Sequence, residues 1–363
     1  MSDTPKRLLS VDVLRGFDML VIIGLDALIH ALARAWPVAP MAGLAEQFSH
    51  ATWAGVHAYD LVFPLFIFLA GVSLAIVDTR PLAAATSPSR RLVTAARRMI
   101  VLVVLGIVYN FGWDWSWERF RLPSVLGLIG VSSFIASAAL ILCRRTEARI
   151  AVWIAIAAMV ACAQLFFIVP GHGPGILTPV GSVNGYLDSL LLPGRLHGGT
   201  YDPEGLIGML SAATIALAGA GAGAAMVSDG RQGSPASLFF GGIVFAAVGI
   251  AVSAVYPAIK SLWTVSFDLI AIGACMLLLG AARLIFDRHE APAGMRRSIG
   301  DLLAPIGANA ILAYMLARFL VYPLYAPLRQ IPVVLELAGL CALIAFQWIT
   351  LRGLFQRGLF LRV

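Results

Sequence analysis

The chain has 363 residues, of which 60% are hydrophobic and only 12% charged, and 26 Lys and Arg against 19 Asp and Glu give it a net charge of +7. So little charge cannot cover the surface of a soluble domain, which excludes that class and favours an integral protein of the lipid bilayer. No basic run is interleaved with aromatic residues, so we expect no nucleic-acid partner. The four cysteines are isolated, and we predict no disulfide framework and no metal.

Apolar runs long enough to cross a bilayer recur ten times and predict an all-α, polytopic helix bundle. Lys and Arg concentrate in alternate gaps between the runs, which by the positive-inside rule places both termini in the cytoplasm. We expect one transmembrane domain over 1–363, long outer loops at about 35–58 and 170–203, and a bacterial cytoplasmic membrane as its location. The predicted spans are approximately 14–34, 59–78, 93–112, 124–143, 150–169, 204–227, 236–256, 264–286, 301–322 and 332–351.

The first span carries ionisable residues where lipid-facing residues are expected. Asp18, Asp26 and His30 are spaced by multiples of four, so on a continuous helix they share one face, and that face should avoid lipid. Asp26 has two interpretations, as a functional carboxylate or as part of a structural polar seam. Asp12 and Arg15, at the inner mouth of this span, have the spacing of an i,i+3 ion pair.

The strongest candidate for chemistry is His50, where the loop at 35–58 returns to the membrane surface. A neutral imidazole can take a proton from an amine or attack an acyl group itself. Asp60, ten residues later, is placed to orient this imidazole. A lone histidine in a loop is, however, more often simply exposed or structural. Within the second span, Pro64 predicts a kink.

The loop between the third and fourth spans is dense in tryptophan and includes Trp113. These side chains suit an interfacial aromatic belt, and the alternative is a wall on which a sugar ring stacks. Arg121, at the start of the fourth span, either reaches inward or snorkels to the interface.

The segment 170–203 is rich in Gly and Pro, and its length favours a lid or a binding surface over a bare connector. It leads into Tyr201, Asp202 and Glu204, which are candidates for substrate binding. Asp202 before Pro203 also has the pattern of a helix N-cap, and both roles can hold together. Two further candidates lie in later spans: Trp263, and Asn309 in a block of small residues where an amide can bond across helices.

Seven sequence blocks carry a resemblance to a known family. They are RLLSVDVLRG at 7–16, HATWAGVHAYDLVFPLFIFLAG at 50–71, FRLPSVLGLIGV at 120–131, GYLDSLLL at 185–192, TYDPEG at 200–205, KSLWTVSF at 260–267 and GANAILAY at 307–314. In this order they resemble the heparan-alpha-glucosaminide N-acetyltransferase family of membrane enzymes, whose active-site histidine corresponds to His50. The family commonly has Asn where this chain has Asp26, and a Gln-Arg pair where it has Gly127 and Leu128.

The resemblance implies transfer of an acetyl group from cytosolic acetyl-CoA to an amino sugar on the outer side. His50 would accept the acetyl group or act as general base, with Asp60 or Asp26 holding the imidazole. Clustered cations suit the phosphates of acetyl-CoA, so we expect it at the inner face. The residues expected to bind acetyl-CoA are Arg7, Asp12, Arg15, Arg97, Arg98 and Asn309. Those expected to bind the sugar are Trp53, Trp113, Arg121, Tyr201, Asp202, Glu204 and Trp263.

A competing hypothesis is a proton-coupled transporter of amino sugars, because buried carboxylates also serve that purpose. A scaffolding membrane protein is a third hypothesis, which explains the buried charges poorly. Assembly as a homodimer is a further hypothesis about partners.

Overall fold

The computed structural model describes residues 8–79, 85–228, 235–287 and 293–361, and within these ranges it contains helices and no β-strand. Ten of the helices are long and apolar enough to cross a membrane, so the chain is a multi-pass integral membrane protein. The prediction of an all-α bundle with ten spans is confirmed, whereas the orientation of the termini stays a prediction. The candidate spans are Leu9–Ala35, Ala58–Asp78, Pro88–Phe111, Val125–Leu142, Thr146–Phe166, Leu206–Val227, Pro235–Ser253, Val265–Asp287, Ala310–Leu328 and Val333–Gln356.

The chain folds as two compact units, which we call the terminal unit and the central unit. The terminal unit comprises Met1–His50, His57–Val62 and Leu277–Arg362, and the central unit comprises Ala51–Val56 and Phe63–Met276. In chain order the α-helices are α1 (Leu9–Leu20), α2 (Asp26–Ala35), α3 (Ala39–Gln47), α4 (Val62–Asp78), α5 (Pro88–Phe111), α6 (Val125–Leu142), α7 (Thr146–Phe166), α8 (Val183–Leu191), α9 (Leu206–Ser228), α10 (Pro235–Ser253), α11 (Val265–Ala282), α12 (Ala293–Ala308), α13 (Ala310–Leu316), α14 (Tyr322–Leu328) and α15 (Val333–Gln356).

The first span is not one continuous helix. A π-helical turn at Val21–Leu25 separates α1 from α2. Within this turn Gly24 has φ +148°, a backbone conformation that residues other than glycine rarely adopt. The extra residue of a π-turn rotates everything that follows about the helix axis. The prediction that Asp18 shares one helical face with Asp26 and His30 is therefore wrong, because it assumed an unbroken α-helical period. Asp26 and His30 do share a face, since both lie within α2 at a spacing of four.

The ninth span also differs from its predicted bounds of 301–322. Helix α12 carries Pro305, which cannot donate a backbone hydrogen bond, and the helix ends one turn later, at Asn309 with φ −121° and ψ 37°. The helix resumes in α13, so the candidate span in this region is Ala310–Leu328. The sequence prediction missed this break because the hydropathy of the segment is continuous across it.

Three smaller expectations about the connections need correction. The segments 35–58 and 170–203 each contain a short helix, α3 and α8, rather than loop alone. Pro64 lies in the first turn of α4, where its missing N–H is not needed, so it does not interrupt the span. Asp202 is not the N-cap of a helix beginning at Pro203, because α9 begins at Leu206.

The core of the central unit forms where α4 and α9 approach closely through glycines. A Cβ on Gly71 would lie 2.0 Å from the carbonyl oxygen of Ala216, and one on Gly219 would lie 2.1 Å from that of Phe68. Small residues let membrane helices pack backbone to backbone, where dispersion and not the hydrophobic effect drives association. The run of Gly and Ala in α9 is thus explained by packing.

In the terminal unit, α1 and α12 pack with the same device. A Cβ on Gly16 would lie 2.0 Å from the carbonyl oxygen of Leu303, and one on Gly307 would lie 2.1 Å from that of Asp12. Both close contacts involve backbone atoms, which cannot move aside without shifting a whole helix. The two helices must therefore separate to admit even one methyl group.

We predict that Gly16→Ala destabilises the protein by about 1–3 kcal/mol, the typical cost of overpacking. The matched control is Gly43→Ala in α3, where a Cβ meets nothing within 4 Å. Alanine is the better helix former, so the control should keep or raise stability. The measurement is the thermal unfolding midpoint of both variants in detergent, and equal midpoints would contradict the proposed close packing of α1 and α12.

Candidate functional site

The terminal unit brings His50 and Asp60 together. Nδ1 of His50 lies 2.8 Å from Oδ1 of Asp60, which is the contact that the sequence suggested. The Asp60 side chain is 1% exposed, whereas that of His50 is 50% exposed, so the carboxylate is enclosed and the imidazole is accessible. The second oxygen, Oδ2, accepts the backbone N–H of His57 at 3.0 Å, which fixes the carboxylate in place.

The bond to Asp60 determines which nitrogen of His50 is basic. An ionised carboxylate only accepts hydrogen bonds, so Nδ1 carries the proton and Nε2 holds the lone pair. This is the arrangement in which a carboxylate orients an imidazole that acts as general base or nucleophile. The terminal unit thus places a correctly polarised imidazole at the junction of segment 35–58 and the second span.

Asp26 belongs to the same cluster, in which it accepts a hydrogen bond from Tyr59. The Tyr59 hydroxyl donates to Oδ2 of Asp26 at 3.0 Å, and the Tyr59 ring lies 4.7 Å from the His50 ring, tilted by 47°. Of the two carboxylates expected to hold the imidazole, Asp60 therefore does so directly and Asp26 acts through the tyrosine. Tyr59 lies in the same polar stretch of the sequence as His50. Nothing in that stretch indicates that its side chain lies between His50 and Asp26.

Two other histidines hold the main chain just before His50. Nδ1 of His57 lies 3.0 Å from the carbonyl oxygen of Ser49, and Nε2 of His30 lies 3.1 Å from that of Phe48. A carbonyl oxygen only accepts, so each of these ring nitrogens carries a hydrogen. The backbone that leads into His50 is therefore tied to α2 and to the short 3₁₀ turn that contains Asp60.

In the central unit, Arg121 forms a buried ion cluster with two of the predicted sugar-binding residues. Its Nε and Nη2 donate to the two oxygens of Asp202 at 2.7 and 2.5 Å, and Nη2 also donates to Glu204. Arg121 thus reaches inward and does not snorkel. Asp202 is 1% exposed and further accepts the backbone N–H groups of His197 and Glu204, so its oxygens are occupied by the chain itself.

Burial and charge shift the pKa values of this cluster in opposite directions. Burial alone would raise the pKa of Asp202, but the hydrogen bonds and charge of Arg121 outweigh it and the net pKa lies below the ordinary value. Glu204 has a raised pKa, because its burial exceeds the opposing effect of Arg121 and the neighbouring Asp202 repels a second negative charge. Arg121 stays charged, since the carboxylates raise its pKa despite burial.

The sequence analysis missed Asp188, which joins this cluster from α8. Its Oδ1 accepts the backbone N–H of Leu206 at 2.9 Å, so it supplies the cap that Asp202 was expected to provide for α9, and its Oδ2 lies 3.4 Å from the backbone nitrogen of Asp202. Burial raises its pKa to about 6, against weaker lowering by these two N–H groups. The residue stands within the GYLDSLLL block, but nothing in that block indicates a partner on another helix.

The aromatic residues expected at the sugar site differ in accessibility. In the central unit, Trp53 donates its indole N–H to the carbonyl oxygen of Leu177 at 2.8 Å and packs edge-on against Tyr201 at 5.3 Å. Trp113 is 74% exposed, as a belt or a stacking wall requires. Trp263 is only 2% exposed and donates to the carbonyl oxygen of Pro203, so its indole packs inside the unit.

The residues expected to bind acetyl-CoA fall in both units, and Arg7 lies outside the described residues. Asp12 and Arg15 form the predicted i,i+3 ion pair, with 3.8 Å between Oδ1 and Nη1. Asn309 donates to the carbonyl oxygen of Leu359 and accepts the backbone N–H of Leu361, which commits its amide to the C-terminal segment. The other two residues expected to bind acetyl-CoA lie on α5 in the central unit, where Arg97 is exposed and Arg98 is half-buried.

Among the described residues no group of three or more His, Cys, Asp or Glu side chains is arranged to hold a metal ion. The acid–base and nucleophilic chemistry that we consider for the cluster around His50 rests on the contact of its imidazole with Asp60. Its accessible imidazole contrasts with the closed ion cluster of the central unit.

We predict a pH dependence of stability from Asp188. Its folded pKa of about 6 lies above the ordinary value of 3.8, so the folded protein binds the proton more tightly and stability falls as pH rises through this window. Asp188→Asn keeps an acceptor for the N–H of Leu206 but cannot titrate. We therefore expect the unfolding midpoint of the original protein to fall relative to that of the variant between pH 4.5 and pH 7.5.

The control for this prediction is Asp114→Asn. Asp114 is exposed, and hydrogen bonds from Ser116 lower its pKa, so it is ionised throughout the same window. The midpoint difference between Asp114→Asn and the original protein should not change from pH 4.5 to pH 7.5. A difference for Asp188→Asn that is equally flat would contradict the raised pKa of Asp188.

Comparisons with known proteins support the relationship suspected from the seven blocks. The chain is 28% identical over 273 residues to heparan-alpha-glucosaminide N-acetyltransferase of Homo sapiens, and 26% identical over 271 residues to the protein of the same name from Mus musculus. The matched region covers 61% of this chain and 39% of each relative, so the chain aligns with well under half of their length. No protein-family model matches the chain.

Proposed function

We propose that this protein is a transmembrane N-acetyltransferase that moves an acetyl group from acetyl-CoA to the amine of a glucosamine-type sugar. The observation that carries the proposal is the 2.8 Å bond between Nδ1 of His50 and the enclosed carboxylate of Asp60. The similarity to two glucosaminide N-acetyltransferases supports the reaction class and the kind of acceptor. The bacterial cytoplasmic membrane, with both termini inside, remains part of the proposal.

The reaction requires one bond to break and one to form at the acetyl carbon. The C–S bond to CoA breaks and a C–N bond to the sugar forms, while the amine proton passes to the CoA thiolate. Nε2 of His50 can carry that proton as general base, or attack the thioester first and pass the acetyl group on. In either route Asp60 stabilises the positive charge that develops on the imidazole.

The other candidate residues of each unit are compatible with both routes and select neither. The Tyr59 ring packs beside the His50 ring, and its hydroxyl bond to Asp26 holds that ring in position. Exposed cations such as Arg97 suit the phosphates of the acyl donor, and Trp113 suits the sugar. Asp202 and Trp263 bond to Arg121 and to the main chain of their own unit, so we assign them to holding the chain around Asp202 and not to contact with the sugar.

We predict that His50→Ala lowers acetyl transfer on the order of 10²- to 10⁴-fold, the usual contribution of a general acid–base group. Asp60→Asn should also lower transfer, because an amide no longer selects the Nδ1–H tautomer. The assay is mass spectrometry of purified protein with acetyl-CoA and glucosamine, detecting N-acetylglucosamine, free CoA and any acetyl adduct on the peptide containing His50.

The matched control is His172→Ala, an exposed histidine in segment 170–203, which should leave transfer unchanged. An adduct on His50 would support the two-step route, and product without an adduct would support direct transfer. Near-normal turnover in a folded His50→Ala variant would refute both routes. Absence of CoA release in the original protein would refute the proposed activity itself.

A second candidate, the proton-coupled amino-sugar transporter, is favoured by two buried carboxylates in the spans. Asp18 in α1 and Asp268 in α11 are each 1% exposed, and each has one oxygen without a hydrogen-bond partner among the described residues. Ionisable groups at membrane depth are typical of proton pathways. We expect proteoliposomes to accumulate no labelled glucosamine under a pH gradient when no acyl donor is present; uptake without CoA release would instead favour the transporter.

A further inference from the structure

We propose that His30 and His57 are positioning residues, which hold the main chain of His50 so that its imidazole meets Asp60. This inference rests on the proposed function, in which His50 is the reactive group. It assigns roles to two histidines that neither the resemblance nor the comparisons single out. Neither residue needs to contact a substrate for this role.

His57 contacts both partners of the His50–Asp60 pair. Its ring Nδ1 donates to the carbonyl oxygen of Ser49, the residue immediately before His50, at 3.0 Å. Its backbone N–H donates to Oδ2 of Asp60, also at 3.0 Å. One residue therefore sets the position of the histidine backbone and of the carboxylate, and hence the separation between them.

His30, on α2, holds Phe48, the residue before Ser49. Its Nε2 donates to the carbonyl oxygen of Phe48 at 3.1 Å. The Ser49 hydroxyl lies 3.5 Å from the same Nε2 and donates to the carbonyl oxygen of Ala45 at 3.0 Å, which adds a bond back to α3. Two consecutive carbonyls before His50 are thus each held by a histidine, through opposite ring nitrogens.

These carbonyls need partners because α3 ends at Gln47. The last carbonyls of a helix and those that follow it have no intrahelical donor, and a side chain often supplies one. Such a cap could be purely structural. The location of the two capped carbonyls favours a positioning role, because they lie one and two residues before His50. Small displacements of a reactive group strongly reduce the rate of reaction.

The proposal predicts a specific kinetic pattern. His57→Ala and His30→Ala remove the donors, so kcat should fall by about tenfold or more while KM for acetyl-CoA and for glucosamine stays within about twofold. His57→Asn places an amide N–H near the Nδ1 position, and His30→Gln places one near Nε2, so each should restore most of kcat. A cap with only a structural role would lower the unfolding midpoint without this separation of kcat from KM.

A second measurement does not depend on acetyl transfer. Diethyl pyrocarbonate modifies imidazoles in proportion to their nucleophilicity, and mass spectrometry reports the rate at each histidine. We expect slower modification of His50 in the two alanine variants, because its Nε2 loses the support of Asp60, and a normal rate in His57→Asn and His30→Gln. The rate at the exposed His172 serves as the internal control.

The outcomes distinguish failure of the positioning role from failure of the proposed acetyl transfer. Alanine variants that match the original protein in both kcat and His50 modification would overturn the positioning role. So would loss of kcat that Asn and Gln fail to restore, with His50 modification unchanged. If the original protein transfers no acetyl group, the proposed function fails, and the modification rates still decide whether His30 and His57 position His50.

Discussion

Hydrocarbon offers no hydrogen-bond partners, so each break in a membrane helix and each buried charge must be satisfied within the protein. The π-turn after α1 illustrates this constraint, because the carbonyl oxygen of Ile22 within it accepts the hydroxyl of Tyr322 at 3.2 Å. At the break, the backbone N–H of Asn309 donates to the carbonyl oxygen of Ile306 at 3.2 Å, and its carbonyl oxygen accepts the N–H of Ala313 at 2.9 Å. Near the end of α2, Arg34 donates to both oxygens of the buried Glu336. In these three places the interruption or the charge therefore occurs together with its partner.

The same constraint produces two polar clusters with different chemical capacities. In the central unit, Arg121 and its carboxylates satisfy one another and the surrounding backbone, which makes a closed cluster that holds segment 170–203 against α9. In the terminal unit, the buried Asp60 polarises an imidazole that remains half exposed. A closed cluster stabilises a loop, whereas an accessible base next to an enclosed acid can react. This difference is why we assign chemistry to His50 and support to Arg121.

Hydropathy predicted the ten spans well, because bilayer thickness sets their length whatever their partners are. The pairing of His50 with Asp60 was predictable because only one 3₁₀ turn and a short connection separate them. The break at Gly24 and the capping of α9 by Asp188 were not predictable from the sequence, since both depend on residues distant in sequence. The burial of Trp263 was missed for the same reason. Periodicity assumes an unbroken helix, and composition cannot identify a partner that lies on another element.

The break at Gly24 connects these observations to the candidate site. It sets the direction of α2, and α2 carries both Asp26, which bonds Tyr59, and His30, which bonds the carbonyl oxygen of Phe48. The position of the Tyr59 ring, which packs against His50, therefore depends on where α2 lies. The position of the backbone before His50 depends on α2 as well. With a continuous α-helix in place of the π-turn, Asp26 and His30 would point to a different face, and their bonds to Tyr59 and to the carbonyl oxygen of Phe48 would not form. The irregular turn is thus a structural requirement of the site and not a local defect of the first span.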